Sequence, residues 1–264
     1  MLAAGSLNNA LEYGLRPAVD RPVRVEARGS AAVARLVAEG QRDPDIVSVA
    51  DVALFEAPLS PAWYVEFATN SLVVAYNPDT TGGRRVRAAG SDGWFRPLAD
   101  EAVSFGRTDP DLDPLGYRTL FALELASDHY GLDENLRETV PDRDQVYPET
   151  RLLGQFEAGA LDAAVVYRNM AVERDLPFVD LPPQVDLGSP AYADRYASAS
   201  YELPSGQVVT GGVVSYASTL RHDRPAARDV FGAHTTGAYL AEFGLAVPDD
   251  YPRYRGDVPD GIAN

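Results

Sequence analysis

Three short runs in this chain could hold an anion. Gly5-Ser6-Leu7-Asn8-Asn9-Ala10-Leu11 and Gly29-Ser30-Ala31-Ala32-Val33-Ala34-Arg35 share one order of parts: a strand ending at Gly, then Ser, then helix formers. Asp113-Pro114-Leu115-Gly116-Tyr117-Arg118 puts Asp in the N-cap position and Pro at the first helical position. Each helix start leaves backbone N–H groups without an intrahelical acceptor, at the positive end of the helix dipole. A Ser hydroxyl beside such amides makes a compact cluster of donors for an oxyanion. The plainer reading stands beside this one, because a Ser at such a position commonly does no more than cap its helix. Neither Gly-Ser pair is a P-loop, since no Lys follows to touch a phosphate.

Around these runs, short β-rich stretches alternate with helical ones, which is the α/β pattern. Strands are expected at 23–27, 46–50, 65–68, 71–76, 103–106, 163–167, 208–209 and 213–216. Helices are expected at 31–39, 115–127, 151–158 and as one long element over 225–243. Residues 80–83 and 90–93 read as turns. The Pro-, Asp-, Tyr- and Arg-rich stretch 247–261 reads as irregular surface structure. In an α/β sheet the helix starts lie at the carboxyl ends of the strands, where ligands bind.

Composition narrows the function. The 264 residues are enough for one large or two modest domains, and 45% are hydrophobic, enough for a core. No run approaches the roughly 20 apolar residues a membrane helix needs. With no Cys, disulfides, thiolate metal sites and a Cys nucleophile are excluded. Asp and Glu number 39 against 23 basic residues, all of them Arg, for a net charge of -16. That balance argues against nucleic acid as a partner, since phosphate contact depends on Lys and Arg. An acidic, lysine-free surface is similar to those of proteins from salt-loving organisms, where screening removes most self-repulsion. A GC-rich genome, which favours Arg codons, gives the same bias. Leu2-Ala3-Ala4 reads as the end of a buried strand, so the domain is expected to be trimmed at its front, and no signal peptide is visible.

The ordered set of segments resembles the molybdate/tungstate-binding proteins of ABC importers in their archaeal form. It runs from Ala4-Gly5-Ser6-Leu7 and Gly29-Ser30 through Val49-Ala50-Asp51 and Phe67-Ala68-Thr69-Asn70-Ser71. It continues with Phe105-Gly106-Arg107-Thr108-Asp109-Pro110, Asp113-Pro114-Leu115-Gly116-Tyr117-Arg118, Val165-Val166-Tyr167-Arg168 and Leu181-Pro182-Pro183 through Tyr192-Ala193-Asp194. The resemblance spans the chain end to end, each motif being weak and their order specific.

The resemblance implies a type II periplasmic-binding-protein fold of two α/β lobes, each a mixed sheet flanked by helices. Lobe 1 would be 1–73 with 213–264 and lobe 2 74–212, with crossovers near 72–77 and 206–216 and the ligand cleft between the lobes. It also implies a monomer with no cofactor and no catalytic activity, whose ligand is molybdate or tungstate and whose partner is the membrane permease of an importer. The protein would be extracytoplasmic and membrane-associated through an N-terminal segment absent from this sequence. The first Ser of the family site is matched by Ser6, the second by Ser30 with the Ala31 amide beside it. The backbone after the third cap is matched by Leu115, the residue before the buried-strand Tyr by Val166, and a late-strand Tyr by Tyr216. In the archaeal branch an Asp and a Glu expand the metal centre to six ligands. Asp113 matches that Asp, with Asp109 as the other candidate, but the Glu position falls on Val166, which cannot ligate. A four-coordinate oxyanion held by hydrogen bonds alone suits Val166, and Asp113 then serves as a helix cap.

Uncharged donors suit such a task. A dianion leaving water must be compensated by fixed dipoles. Hydrogen bonds to charged groups contribute roughly 1.5–3 kcal/mol each, so about seven recover most of the effective cost. Donors without acceptors also reject anions that carry their own O–H, which favours molybdate, tungstate or sulfate over hydrogen phosphate. A sulfate-binding protein is the alternative within the class. An enzyme acting on a small anionic metabolite is the alternative outside it, opposed by the lack of a general base beside a nucleophile. A sensing module would need a DNA-binding or signalling segment.

The remaining polar residues read more plainly. His129, His222 and His234 lack metal-ligand spacing and are expected in surface or cap roles. Asp128-His129-Tyr130 has no nucleophile elbow to serve. Asp51 reads as a turn cap, Tyr117 and Tyr167 as packing residues, and Arg118 and Arg168 as solvated.

Overall fold

The computed structural model describes residues 1–111, 114–140, 145–147, 149–204, 206 and 208–262. The chain forms two compact units, Met1–Asn70 with Val214–Asn264, and Ser71–Val213. It therefore passes between them twice, at Asn70/Ser71 and at Val213/Val214.

The first unit is built on a six-stranded mixed sheet. Its strands are β1 (Leu2–Ala4), β2 (Glu26–Arg28), β3 (Ile46–Val49), β4 (Trp63–Asn70), and, from later in the chain, the strands Val214–Leu220 and Arg253–Gly256. β1 lies between β2 and β3, parallel to both, with Ala4 opposite Arg28 and Ala3 opposite Ser48. Val214–Leu220 runs antiparallel between β3 and β4. Because the parallel strands bury both faces, they read as apolar runs rather than alternating ones. One face packs Leu7, Leu11, Trp63, Phe67 and Phe231; the other packs Val33, Val37, Val47 and Phe55. Each such side chain contributes about 1.5–3 kcal/mol when fully buried.

The second unit holds a five-stranded mixed sheet. Its strands are β5 (Leu72–Tyr76), β6 (Phe105–Thr108), β7 (Gln145–Tyr147), β8 (Ala163–Tyr167) and β9 (Phe178–Asp180), in the order β7-β6-β8-β5-β9. β10 (Ser200–Glu202) and β11 (Val208–Thr210) pair antiparallel as a separate ribbon. In the first unit, Val214–Leu220 becomes β12 and Arg253–Gly256 β13. The helix Pro114–Tyr130 buries Leu120, Phe121, Leu123 and Leu125. Apolar residues around so much of its circumference make it an interior helix.

Four expectations from sequence are corrected. The stretch 225–243 is two helices, Pro225–Thr236 and Tyr239–Glu242. They part at Gly237, where a Cβ would lie 2.5 Å from the Ala233 carbonyl oxygen. Residues 80–83 open a helix, Thr81–Ala89, whose cap Thr80 accepts the Gly83 N–H. Its glycines are demanded by close approach, since a Cβ on Gly83 would sit 1.9 Å from the Asn77 carbonyl oxygen. The stretch 247–261 contains β13, held on β4 by an Arg255–Glu66 ion pair of 2.8 Å. His234 is no surface residue: it is fully buried against the Phe67 ring.

Candidate functional site

In the first unit the serines come together because of strand register. β1 and β2 are parallel with Ala4 opposite Arg28, and Ser6 and Ser30 each stand two residues further on. Both helix starts therefore occupy one edge of the sheet, at the carboxyl ends of its parallel strands. Gly5–Leu7 is a 3-10 turn, followed by a π-helical turn, Ala10–Leu15. Ser30 is the first residue of the helix Ser30–Ala38, with Gly29 at its N-cap.

Neither serine is the N-cap of its helix. That position falls on Ala4 and on Gly29, which corrects the expected N-cap geometry. The Ser30 hydroxyl oxygen accepts the Ala50 backbone N–H at 3.0 Å instead, tying the helix start to the end of β3. The first bond within this helix runs from the Val33 N–H to the Gly29 carbonyl. The Ala31 amide thus precedes the internal ladder, on an exposed residue. Ser6 accepts the Tyr216 hydroxyl at 3.0 Å, and Tyr216 in turn accepts the Asn70 side-chain N–H at 3.1 Å. Ser6, Tyr216 and Asn70 are thereby linked, and the latter two are buried.

In the second unit Leu115 is the second residue of the helix Pro114–Tyr130 and is buried, as is Val166 in β8. The Arg118 guanidinium donates to the Tyr167 hydroxyl at 2.6 Å, joining the first turns of that helix to the end of β8. Leu115 and Val166 are so held in one region of this unit, and Arg118 is not merely solvated. Gly116 lets the helix start approach the preceding turn, because a Cβ there would lie 2.5 Å from the Asp109 carbonyl carbon. Asp109 accepts the Asp111 N–H at 3.0 Å, and Asp111 accepts the Tyr201 hydroxyl at 2.6 Å. That bond pushes the Tyr201 phenol up to about 12. Asp113 lies outside the described residues.

The other polar residues have local partners. Asp51 accepts the Ala53 N–H, the turn-capping role read for it. Tyr117 packs on Phe121, and Arg168 pairs with Asp180. His222 pairs with Asp43 at the surface. His234 bonds through Nδ1 to the Tyr239 hydroxyl at 2.8 Å and through Nε2 to Ser48 at 3.0 Å. Burial, seconded by the N-terminal ammonium, pulls its imidazole down to about 3. Among the described residues no group of three His, Asp or Glu is placed to hold a metal ion.

Two polar groups escaped the sequence reading. Asn70 ends β4 and feeds the Tyr216–Ser6 chain. Thr108 ends β6 with its hydroxyl buried and, among the described residues, without a hydrogen-bond partner. Both stand at strand ends inside runs already singled out, Phe67–Asn70 and Phe105–Thr108, and a polar residue closing an apolar strand was the signal available.

Known proteins give the same outline. The family described as bacterial extracellular solute-binding protein matches residues 16–229. A Haloferax volcanii protein, provisionally named an ABC-transporter molybdenum-binding protein, is 55% identical over 261 residues, 98% of this chain and 85% of that one. The molybdate/tungstate-binding protein of Thermococcus kodakarensis is 32% identical over 226 residues, 76% of this chain and 64% of that one. The solved periplasmic molybdate-binding protein of Azotobacter vinelandii has a TM-score of 0.59 at 15% identity, covering 94% of this chain and 98% of that one, a likeness of fold. Two mixed α/β sheets flanked by helices are thus the periplasmic-binding-protein architecture. With the family match covering most of its length and a relative alike over nearly all of it, the chain belongs to the bacterial extracellular solute-binding proteins.

Proposed function

We propose that this protein captures molybdate or tungstate outside the cytoplasm and delivers it to the permease of an ABC importer, with no catalytic step of its own. The observation that carries the reading is in the first unit: parallel register sets the two serines and the Ala31 amide at one sheet edge, with the N-cap positions falling on Ala4 and Gly29 rather than on the serines. There the donors are Ser6, Ser30 and Ala31, with Tyr216 behind Ser6. In the second unit they are the backbone N–H groups of Leu115 and Val166. The Val166 side chain is aliphatic and offers the metal no ligand, so the ion is held as a four-coordinate oxyanion by hydrogen bonds. Asp109 then serves its turn, accepting the Asp111 N–H, rather than binding metal. The names of the Haloferax and Thermococcus relatives support the choice of ligand.

Thermal unfolding in high salt, with molybdate, tungstate, sulfate or phosphate added, tests this. A ligand bound only by the native state raises the melting temperature, by about 2.7 kcal/mol of stability at a hundredfold excess over Kd. Molybdate and tungstate should raise it strongly. A shift with sulfate alone would move the protein to sulfate transport, and no shift with any of the four would end the oxyanion reading.

A further inference from the structure

The hydroxyl chain behind Ser6 has a direction. The Asn70 amide N–H donates to the Tyr216 oxygen, and the Tyr216 hydroxyl donates to Ser6 Oγ. A phenol has one hydrogen, and here it goes to Ser6. The Ser6 hydrogen is therefore not the one in this contact and is directed elsewhere. Asn70 and Tyr216 are each 1% exposed, so water does not compete for these bonds. In such surroundings hydrogen bonds in series polarise one another, each strengthening the next donor.

We propose that Asn70 is a positioning residue that fixes the polarity of this chain, so that Ser6 presents a hydrogen, not a lone pair, to the bound anion. The inference rests on the oxyanion reading for its consequence, and on geometry alone for the chain. The N–H that Asn70 donates to the Tyr216 oxygen enforces the direction. A carboxylate there would accept from Tyr216, the phenol hydrogen would turn away from Ser6, and Ser6 would donate to Tyr216 instead. Ser6 would then face the ligand with a lone pair, which suits an anion carrying its own O–H. The residue thereby contributes to telling fully deprotonated oxyanions from protonated ones.

Two measurements test this. Titrations with tungstate and hydrogen phosphate at mildly alkaline pH compare the protein with Asn70→Asp. Both ligands are dianions there, so the new charge repels them alike. The proposal expects the tungstate-to-phosphate affinity ratio to fall by about tenfold or more, the worth of one charge-assisted hydrogen bond. An unchanged ratio overturns it. Asn70→Leu, which removes the donor without adding charge, should weaken tungstate binding in the native background. It should have no effect beside Tyr216→Phe, and losses that multiply overturn the relay. Neutron diffraction from the deuterated, ligand-free protein reads the chain directly. A Tyr216 deuteron aimed at Ser6 supports it, and one aimed at Asn70 refutes it. A protein that binds neither anion removes the proposed function while the neutron result still decides the chain.

Discussion

The Ser30 hydroxyl oxygen accepts the Ala50 backbone N–H at 3.0 Å, joining the start of one helix to the end of the neighbouring strand segment. The bond occupies a lone pair and leaves the Ser30 hydrogen on the other side of the oxygen. Ser30→Ala should therefore do two things. It should lower stability by about 1 kcal/mol, through loss of the acceptor for Ala50. It should also weaken tungstate binding by roughly 1–3 kcal/mol, about 5- to 150-fold. Denaturant unfolding and calorimetric titration separate the two, and a stability loss with unchanged affinity would leave Ser30 a purely structural tie.

Gly116 gives a second prediction. Its absent Cβ would sit 2.5 Å from main-chain atoms of Asp109 and Pro110, and main chain does not yield as a flexible side chain would. Gly116→Ala should cost about 1–3 kcal/mol of stability by overpacking. The backbone that must move includes the Leu115 amide, so tungstate affinity should drop as well. Unfolding and titration of the same variant check both, and an unperturbed affinity would remove Leu115 from the donor set.

Asp186 makes stability depend on pH. Burial pushes its carboxyl up to about 6, against hydrogen bonds from the Gly188 N–H and Tyr196 that favour the charged form. A raised carboxyl binds its proton more tightly folded than unfolded. Its contribution to stability is thus greatest below the unfolded value, near 4, and declines as pH rises to about 6. At neutral pH the ionised group costs on the order of 2–3 kcal/mol. Asp186→Asn should accordingly stabilise the protein at pH 7, with the gain vanishing at about pH 4. Thermal melts across that range check it, and a gain independent of pH would contradict the assignment.

His234 acts with the opposite sign. Its folded value near 3 lies below the unfolded value of about 6.5, so the unfolded chain binds the proton first as pH falls. Stability is complete above about 6.5 and is lost progressively from there toward 3, roughly 1.4 kcal/mol per pH unit once the unfolded histidine is charged. His234→Asn should flatten this limb, whatever it costs at neutral pH. A variant as acid-sensitive as the native protein would place the loss elsewhere, in the carboxylates.

These residues also show what a sequence reader can see. β8 matches the apolar run 163–167 because a strand buried on both faces writes itself as consecutive Ala, Val and Tyr. The Gly-Ser starts were visible as local order. Ser6 and Tyr216 stand 210 positions apart, and Asn70 and Tyr216 146, so no local pattern could show their bonds. The helix Thr81–Ala89 was hidden by Gly82 and Gly83, which read as turn formers but serve close packing against Asp162 and Asn77. β13 was hidden because Arg253-Tyr254-Arg255-Gly256 lacks apolar alternation, and an ion pair to Glu66 holds it. His234 looked ordinary because its partners, Ser48 and Tyr239, declare themselves only after folding.

The order of strands in the first sheet, β13-β4-β12-β3-β1-β2, bears on biosynthesis. Its middle strand, β12, is made after the whole of the second unit, so a ribosome holds β3 and β4 apart as open edges until residue 220 has emerged. The second unit is one uninterrupted stretch and is free to condense first, as domains do during translation. A nascent chain released early would therefore carry one finished half and one adhesive, unclosed sheet, the kind of fragment that chaperones and proteases must clear.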